Sequence, residues 1–185
     1  MIKFEEDDDE SYKGRTLKNA SADVTIAFAY DFTTYGEVLT KNYTLEQNNL
    51  YIPVSISVFS DRANYHNEIK KVVSLIDGLG KDVISLNIAG NGIYTLKLSF
   101  IQEQSMSDYL IYSFLKEMIN MLQTKISLIR TGGQSGADES GAKAGMKLKL
   151  PVLVLGPKKW RFRDINNQEF FDEKLFKERF IINER

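Results

Sequence analysis

A glycine-rich stretch, Thr131-Gly132-Gly133-Gln134-Ser135-Gly136-Ala137-Asp138, lies between an apolar run at Ile126–Ile129 and a segment of small residues at Glu139–Met146. The pattern predicts a β-strand, a tight turn and the first turn of a helix. Unpaired amides at a helix N-terminus favour anion binding, as does the helix dipole. Glycines let a phosphate approach the backbone without meeting a Cβ. The spacing matches neither a Walker loop nor a dinucleotide-binding fingerprint, so the stretch favours a phosphorylated ligand without specifying it.

The rest of the chain alternates between apolar runs and amphipathic segments. Strands are predicted at Val24–Tyr30, Leu50–Val58, Val83–Ala89, Ile126–Arg130 and Pro151–Leu155. Helices are predicted at Gly36–Leu45, Asn64–Ile76, Asp108–Leu122 and Gly136–Leu148. Near-continuous apolar strands that alternate with helices are typical of a parallel sheet covered on both faces. We therefore predict an α/β fold, a Rossmann-like three-layer sandwich with a mostly parallel sheet of about five or more strands, whose 24–30 and 126–130 strands share one sheet.

The composition fits one domain with a substantial core, since 43% of the 185 residues are apolar. The formal net charge of -1 argues against a general nucleic-acid binder. The chain has no cysteine, no N-terminal apolar signal and no apolar run of roughly 18 residues. These features predict a soluble, cytoplasmic protein that does not bind a membrane.

Three parts of the chain differ in composition. Residues 1–20 contain the acidic run Glu5–Glu10 and are expected to form a solvated, mobile N-terminal arm. Residues 21–165 are expected to form the Rossmann-like domain. Residues 166–185 are expected to complete that domain with a charged amphipathic helix at Phe170–Phe180.

The loops that follow the predicted strands carry hydroxyls, glycines, amides and basic side chains. Because ligands bind beyond the carboxyl ends of parallel strands, we expect these loops to converge on one site. The candidate ligand-binding residues are Thr34, Gly36, Thr40, Asn87, Gly90, Asn91, Gly92, Arg130, Thr131, Gly132, Gly133, Gln134, Ser135, Gly136, Asp138, Lys158, Trp160 and Arg161. Such a set suits a nucleotide, with phosphate on backbone amides and the base on an aromatic ring.

Several of these residues have an alternative interpretation. Asp138 either complements the helix dipole or contacts a ribose or a metal ion. Trp160 either packs in the core or stacks on a base. The basic run Lys158–Arg163 is either a solvated cluster or part of the site.

One half of the chain resembles a known family. The segment Arg130–Gly145 reads RTGGQSGADESGAKAG, and Leu150–Val152 and Gly156–Lys158 follow it. It is similar to the molybdenum carrier family, a branch of the SLOG superfamily of Rossmann-like nucleotide-binding proteins, whose motif is TGGQ-x-G-x-D followed by GIPV and CPKGR. Gly156 replaces the cysteine of the last motif, and Lys159-Trp160 replaces its glycine.

Motifs of the second half of that family occur before the glycine loop instead of after it. Ala22–Ile26, Thr34–Thr40 and Leu86–Tyr94 resemble the family's SDGTLIL, LTGGTALT and VLNVAGPR…PGIY elements. The chain therefore resembles a circular permutant of the family over most of residues 20–165. This combination of loops also resembles bacteriophage and mobile-element proteins.

The resemblance implies a phosphate site built from the loops at 131 and 34, and a homodimer. It does not imply phosphoribohydrolase activity. The cytokinin-activating branch carries the motif PGGxGTxxE. This chain departs from it, with Tyr35 in place of the first glycine and Glu37 in place of the threonine.

Three functions remain open from the residues. The first is a non-catalytic module that binds a nucleotide or nucleotide-derived signal. No cofactor other than such a ligand is predicted. The second is a hydrolase that cleaves an N-glycosidic or phosphate bond, with Glu37, Asp138 and Glu139 as candidate catalytic carboxyls and Arg130 or Arg161 stabilising charge. The third is a carrier of a molybdenum cofactor or oxyanion, although no metal-ligand set is identified. In each case Gly133→Val is expected to abolish binding and to affect folding less.

Overall fold

The computed structural model describes residues 1–9 and 11–182, which form an α/β sandwich. A six-stranded sheet has the order β1-β6-β5-β4-β2-β3, and every neighbouring pair is parallel. The strands of this sheet are β1 (Ile2–Glu6), β2 (Val24–Ala29), β3 (Leu50–Ser55), β4 (Val83–Gly90), β5 (Lys125–Thr131) and β6 (Val152–Gly156). The predicted fold class is therefore confirmed, and β2 and β5 share the sheet with β4 between them.

Helices cover both faces of the sheet. They are α1 (Tyr12–Ala20), α2 (Tyr35–Glu46), α3 (Arg62–Asp77), α4 (Ile93–Leu96), α5 (Gln104–Met121), α6 (Ala137–Lys147) and α7 (Glu173–Glu178). Short 3-10 helices occur at Ile56–Ser60 and Lys158–Trp160, and a hairpin pairs β7 (Arg161–Arg163) with β8 (Glu169–Phe171). Helix α1 packs against α2, while α5 packs against both α3 and α6. These two groups of helices form the outer layers of the sandwich.

The central strands are buried because both of their faces are covered. All six residues of β2 are buried, and β4 is buried at most positions. The side chains of Ile26, Phe28, Leu86 and Ile88 are fully excluded from solvent. An apolar run without alternation is therefore the correct signature of these strands.

The direction of the chain reverses between β2 and β4. From β2 the chain moves outward to β3, and from β4 it moves the opposite way to β5 and β6. The loops after β2 and β4 therefore diverge to opposite faces and leave a crevice at the carboxyl edge. Such a switch point is where open parallel sheets bind ligands.

The N-terminal residues form part of the domain, and the predicted solvated arm is wrong for the residues that the structure describes. Strand β1 pairs with β6 at the edge of the sheet, from Ile2 opposite Val152 onward. Asp7 is only 1% exposed and its Oδ1 lies 2.7 Å from Lys18 Nζ. Asp9 accepts hydrogen bonds from the amides of Ser11 and Gly14 at the start of α1. These acidic side chains have partners within the fold, and Glu10 lies outside the described residues.

The C-terminal segment differs from the predicted helix at Phe170–Phe180. Strand β8 occupies its beginning, and α7 is shorter than expected. Phe176 of α7 is fully buried, and its ring lies 5.2 Å from Trp160 and 5.6 Å from Phe180. The segment therefore packs on the core through Phe176, and residues 183–185 of the expected unit lie outside the described residues.

Within residues 1–9 and 11–182, no helix has both the length and the apolar character needed to cross a bilayer.

Phe176→Ala should lower the free energy of unfolding by about 3–5 kcal/mol, because it leaves a cavity among buried rings. Urea unfolding followed by fluorescence or circular dichroism would measure this change. Leu175 on the same helix is 44% exposed, so Leu175→Ala is the matched control and should cost less than about 1 kcal/mol. Equal effects of the two substitutions would show that α7 is not integral to the core.

Candidate functional site

A cleft of about 450 Å³ opens at the switch point. It is bounded by the loops after β2, β4 and β5, as the sequence predicts, and by α1. The residues that line it are Tyr12, Arg15, Thr16, Asn19, Thr34, Tyr35, Gly36, Glu37, Leu39, Thr40, Asn87, Ala89, Gly90, Asn91, Gly92, Tyr94, Thr95, Gly132, Gln134, Asp138 and Arg163.

The N-terminus of α2 faces this cleft. Thr34 is its N-cap residue with extended backbone angles, and its side chain makes no capping hydrogen bond. The first amide with an acceptor at this end is that of Val38, which donates to Thr34 O over 3.0 Å. The three preceding amides, from Tyr35 to Glu37, have no acceptor within the helix. The end of α2 therefore presents amide donors and the positive end of a helix dipole to the cleft.

Glu37 in the first turn of α2 is buried in the cleft wall. Its side chain is 4% exposed, and its Oε2 has no hydrogen-bond partner among the described residues. Burial, together with the negative charges of Asp138 and Asp31, raises the pKa of Glu37 from 4.5 to about 8. Glu37 is therefore mainly protonated and uncharged at pH 7.

The glycine loop after β5 is organised around Asp138 instead of an external anion. Asp138 Oδ2 accepts a hydrogen bond from the amide of Gln134 at 3.3 Å. Burial raises the pKa of Asp138 to about 6, against the opposing attraction of Arg15. The carboxyl group thus occupies an amide that the sequence pattern assigns to a phosphate.

The N-terminus of α6 is also satisfied within the protein. The amide of Gly136 donates to Gln104 Oε1 over 2.6 Å, and the amide of Ala137 donates to Asn91 O over 3.1 Å. A Cβ on Gly136 would lie 2.5 Å from Asn91 O, so the glycine allows two loops to approach each other. The amides of this helix end hold loops together, and α2 presents the open helix end instead.

Gly133 does not line the cleft, and the expectation that Gly133→Val affects binding more than folding is wrong. A Cβ at Gly133 would lie 2.5 Å from Phe176 Cζ and 2.8 Å from Val154 Cγ1, and its φ of +73° is unfavourable for any other residue. The glycine therefore permits core packing, and Gly133→Val should primarily destabilise the fold.

Two arginines hold the glycine loop from opposite ends of the chain. Arg15 Nη1 donates to Gly132 O over 2.6 Å, and Arg179 Nη2 donates to Gly133 O over 2.6 Å. Arg15 is only 6% exposed and comes from α1. Both bonds go to backbone oxygens, which lets side chains from elsewhere hold two glycines that have none of their own.

Asn91 ties the end of β4 to the loop after β2. Its Oδ1 accepts hydrogen bonds from the amides of Tyr30 and Asp31 at 2.8 Å and 2.9 Å, and its Nδ2 donates to Asp31 O. The side chain lines the cleft, but its hydrogen bonds are directed to the protein. Asn91 therefore fixes the shape of the crevice between β2 and β4.

Two other amide side chains of the cleft are incompletely bonded. Asn19 Oδ1 and Asn87 Oδ1 are buried and, like Glu37 Oε2, have no hydrogen-bond partner among the described residues. Asn19 is 4% exposed and Asn87 is 1% exposed. Buried polar atoms in native proteins are normally bonded, so these oxygens indicate where a ligand or water binds.

The structure brings part of the predicted site together. The predicted residues that line the cleft are Thr34, Gly36, Glu37, Thr40, Asn87, Gly90, Asn91, Gly92, Gly132, Gln134 and Asp138. The predicted residues that do not line it are Arg130, Thr131, Gly133, Ser135, Gly136, Glu139, Lys158, Trp160 and Arg161.

Glu139 belongs to an ion-pair network behind the cleft. Its Oε1 lies 2.6 Å from Lys143 Nζ and its Oε2 lies 3.1 Å from Arg179 Nη1. Lys143 also pairs with Asp108 on α5. Successive helical residues are rotated by about 100°, so Asp138 and its neighbour Glu139 project in different directions.

The residues at the ends of β5 and α6 are also directed inward. Arg130 donates to Ser21 Oγ over 3.1 Å, and Thr131 Oγ1 donates to Asp138 O over 2.9 Å. Ser135 Oγ donates to Arg163 O. These side chains hold the loop in place, whereas Gln134 lines the cleft.

The aromatic and basic segment after β6, Lys158–Arg163, mostly makes contacts within the protein. The ring of Trp160 packs on Phe176, which favours the core interpretation of this residue. Arg161 Nε donates to Glu169 Oε1 over 2.6 Å. Lys158 lies in the same 3-10 helix as Trp160 and does not line the cleft. Arg163, two residues beyond Arg161, reaches it instead.

Sequence reasoning missed the contribution of α1. Tyr12, Arg15 and Asn19 line the cleft, at positions spaced three and four residues apart on one helix face. Ser11 accepts a hydrogen bond from the amide of Lys13 and caps this helix. That capping serine before a regularly spaced set of polar residues is the signal that could have identified α1.

Among the described residues, no group of three or more histidine, aspartate or glutamate side chains is arranged to hold a metal ion.

No family model matches the chain, and neither a curated protein nor a solved structure shows significant similarity to it. The resemblance to the molybdenum carrier family, and the permuted order, therefore stay predictions.

Glu37→Gln should change how stability depends on pH. The folded protein retains the Glu37 proton up to about pH 8, whereas the unfolded chain releases it near pH 4.5. Unfolding then releases a proton in this window, so Glu37 lowers the free energy of unfolding as pH rises, by up to ~1.4 kcal/mol per pH unit. Relative to the wild type, Glu37→Gln should gain stability between pH 5 and 8.

Urea unfolding at several pH values would measure this difference. Glu46 lies on the same helix and is exposed, so Glu46→Gln is the control and should show a constant difference from the wild type. A constant difference for Glu37→Gln as well would contradict the protonated state.

Proposed function

We propose that the cleft binds a phosphorylated small molecule of nucleotide size, with the phosphate at the N-terminus of α2. The observation that carries this proposal is the uncapped first turn of α2, which opens into the cleft at the switch point. Helix N-termini of this kind bind phosphate through backbone amides.

The size and lining of the cleft support this ligand class. Sites for small molecules and cofactors commonly enclose roughly 300–1,000 Å³, and the volume of this cleft falls within that range. Tyr12 and Tyr94 contribute aromatic surface to its lining, and Arg163 contributes a cation. An aromatic base and a phosphate both have suitable partners in such a lining.

The protonation of Glu37 removes an obstacle to phosphate binding. A carboxylate in the first turn of α2 would repel an anion bound to the amides of the same turn. With a pKa of about 8, Glu37 is mainly neutral at pH 7. Anion binding at α2 is therefore compatible with an acidic residue in this turn.

A second candidate function is hydrolysis of the bound nucleotide, because two carboxyl groups of different acidity line one cleft. Burial raises the pKa of Glu37 to about 8 and that of Asp138 to about 6. Carboxyl groups with separated pKa values can act as acid and base. Glu37 would then donate a proton to a leaving group, and ionised Asp138 would accept one from water.

Gly36→Val should weaken binding without unfolding the protein. Gly36 lines the cleft, and a Cβ there meets no atom within 4 Å. The added methyl groups would occupy space beside the α2 amides, so we expect the affinity for nucleotides to fall at least tenfold, or about 1.4 kcal/mol. Calorimetric titration with ribonucleoside monophosphates and inorganic phosphate measures this loss.

The control is Ala63→Val, because Ala63 is the second residue of α3 just as Gly36 is the second residue of α2, and it is exposed. It should bind like the wild type. A fully folded Gly36→Val protein with unchanged affinity would exclude α2 as the phosphate site.

Product analysis separates binding from hydrolysis. The nucleotide that binds most tightly should be recovered intact if the protein is a binding module. Release of a free base or of inorganic phosphate, lost in Glu37→Gln, would establish the hydrolase. Glu37→Gln suits this test because Glu37 Oε2 makes no hydrogen bond that the substitution would break.

A further inference from the structure

Among the residues that the structure describes, three buried oxygens without hydrogen-bond partners distinguish one part of the cleft. They are Asn19 Oδ1, Glu37 Oε2 and Asn87 Oδ1. The residues come from α1, α2 and β4, and all three line the same cleft. An unpaired buried polar atom is unfavourable, and three in one cleft are better explained by a ligand that pairs with them than by chance.

We propose that these three residues bind a pair of adjacent hydroxyl groups, so that the ligand contains ribose and not 2-deoxyribose. This inference rests on the proposed function, since it assigns the sugar of the phosphorylated ligand whose phosphate lies at α2.

The orientation of Asn87 is set by its neighbours in the sheet. Its Cα is paired with Thr25 on β2 and with Arg130 on β5. Asn87 Nδ2 donates to Thr25 Oγ1 over 3.2 Å, and Thr44 Oγ1 lies 3.0 Å from the same oxygen. The amide is therefore held from one side, and its oxygen is the atom that remains to accept a hydrogen bond.

Asn19 provides the second acceptor from a different layer. It lies in the last turn of α1, where its backbone oxygen accepts a hydrogen bond from the amide of Ala22 over 3.1 Å. Its backbone thus ends the helix, while its side-chain oxygen has no partner.

Glu37 adds a group that can both donate and accept. As a neutral acid it carries one O–H and one C=O. Adjacent hydroxyl groups have the same dual capacity, because each donates one hydrogen and accepts others. Two amide oxygens and a carboxyl group therefore match a diol. They do not match a phosphate, whose ionised oxygens only accept hydrogen bonds.

The two parts of the cleft thus differ in chemistry. The end of α2 offers donors, whereas Asn19 and Asn87 offer acceptors. A sugar phosphate presents acceptors at its phosphate and donors at its hydroxyls, which is the matching arrangement. Sites that bond a substrate hydroxyl strongly reject the analogue that lacks it.

The test compares ribose 5-phosphate with 2-deoxyribose 5-phosphate, which carry a phosphate but no base. The best-binding nucleoside monophosphate and its 2′-deoxy counterpart form a second pair. Titration calorimetry at pH 6.5 should give at least about tenfold tighter binding of the ribose member. Of Asn87→Ala and Asn19→Ala, the variant that removes the partner of the 2-hydroxyl should reduce this ratio severalfold, whereas the other should weaken both members alike, because the deoxy sugar retains its 3-hydroxyl.

Asn42→Ala is the control, because Asn42 is an exposed asparagine on α2 outside the cleft. Asn42→Ala should retain the full ratio between the affinities for the ribose and deoxyribose members. Thermal unfolding identifies any variant that fails to fold. If Asn87→Ala unfolds because it loses the bond to Thr25, Asn19→Ala takes its place in the comparison.

Equal affinity for the ribose and deoxyribose members of both pairs would overturn the diol inference and leave the phosphate proposal intact. So would a preference for ribose that neither asparagine variant reduces. No binding of any member, or of inorganic phosphate, would overturn both proposals.

Discussion

Two hydrogen bonds from arginines to consecutive backbone oxygens hold the glycine loop in place. Arg15 bonds Gly132 O and Arg179 bonds Gly133 O, each over 2.6 Å. These two contacts act together with Asp138 and with the hydroxyl bonds of Thr131 and Ser135 to set the shape of the loop. Since α6 begins directly after this loop, the same contacts fix the position of the helix and one wall of the cleft.

The central strands could be predicted from the sequence because local apolar runs reflect burial on both faces. Strand β1 could not, because its short Ile2–Glu6 segment merges into an acidic run that normally indicates a solvated tail. Its burial depends on β6, and the buried Asp7 that follows it pairs with Lys18. Strand β6 is distant in sequence, so no local pattern of the first twenty residues predicts this pairing.

Local sequence also predicts some features of the site and misses those that depend on residues distant in sequence. The polar residues at the carboxyl edge were predictable, because strand ends and glycines are local signals. Which helix end remains open was not predictable, because the amides at the start of α6 are occupied by Gln104 of α5 and by Asn91 after β4. The glycine pattern therefore predicted the correct edge of the sheet for the cleft. Gly133, however, lies against Phe176 in the core.

The pairing of β1 with β6 also constrains the order of folding during synthesis. Ile2 is synthesised long before Val152, its partner in β6. Arg179, which bonds Gly133 O, is synthesised later still. Because domains fold as units once their contacts are available, the nascent chain must keep Ile2 and Phe4 exposed or transiently protected until β6 has been synthesised.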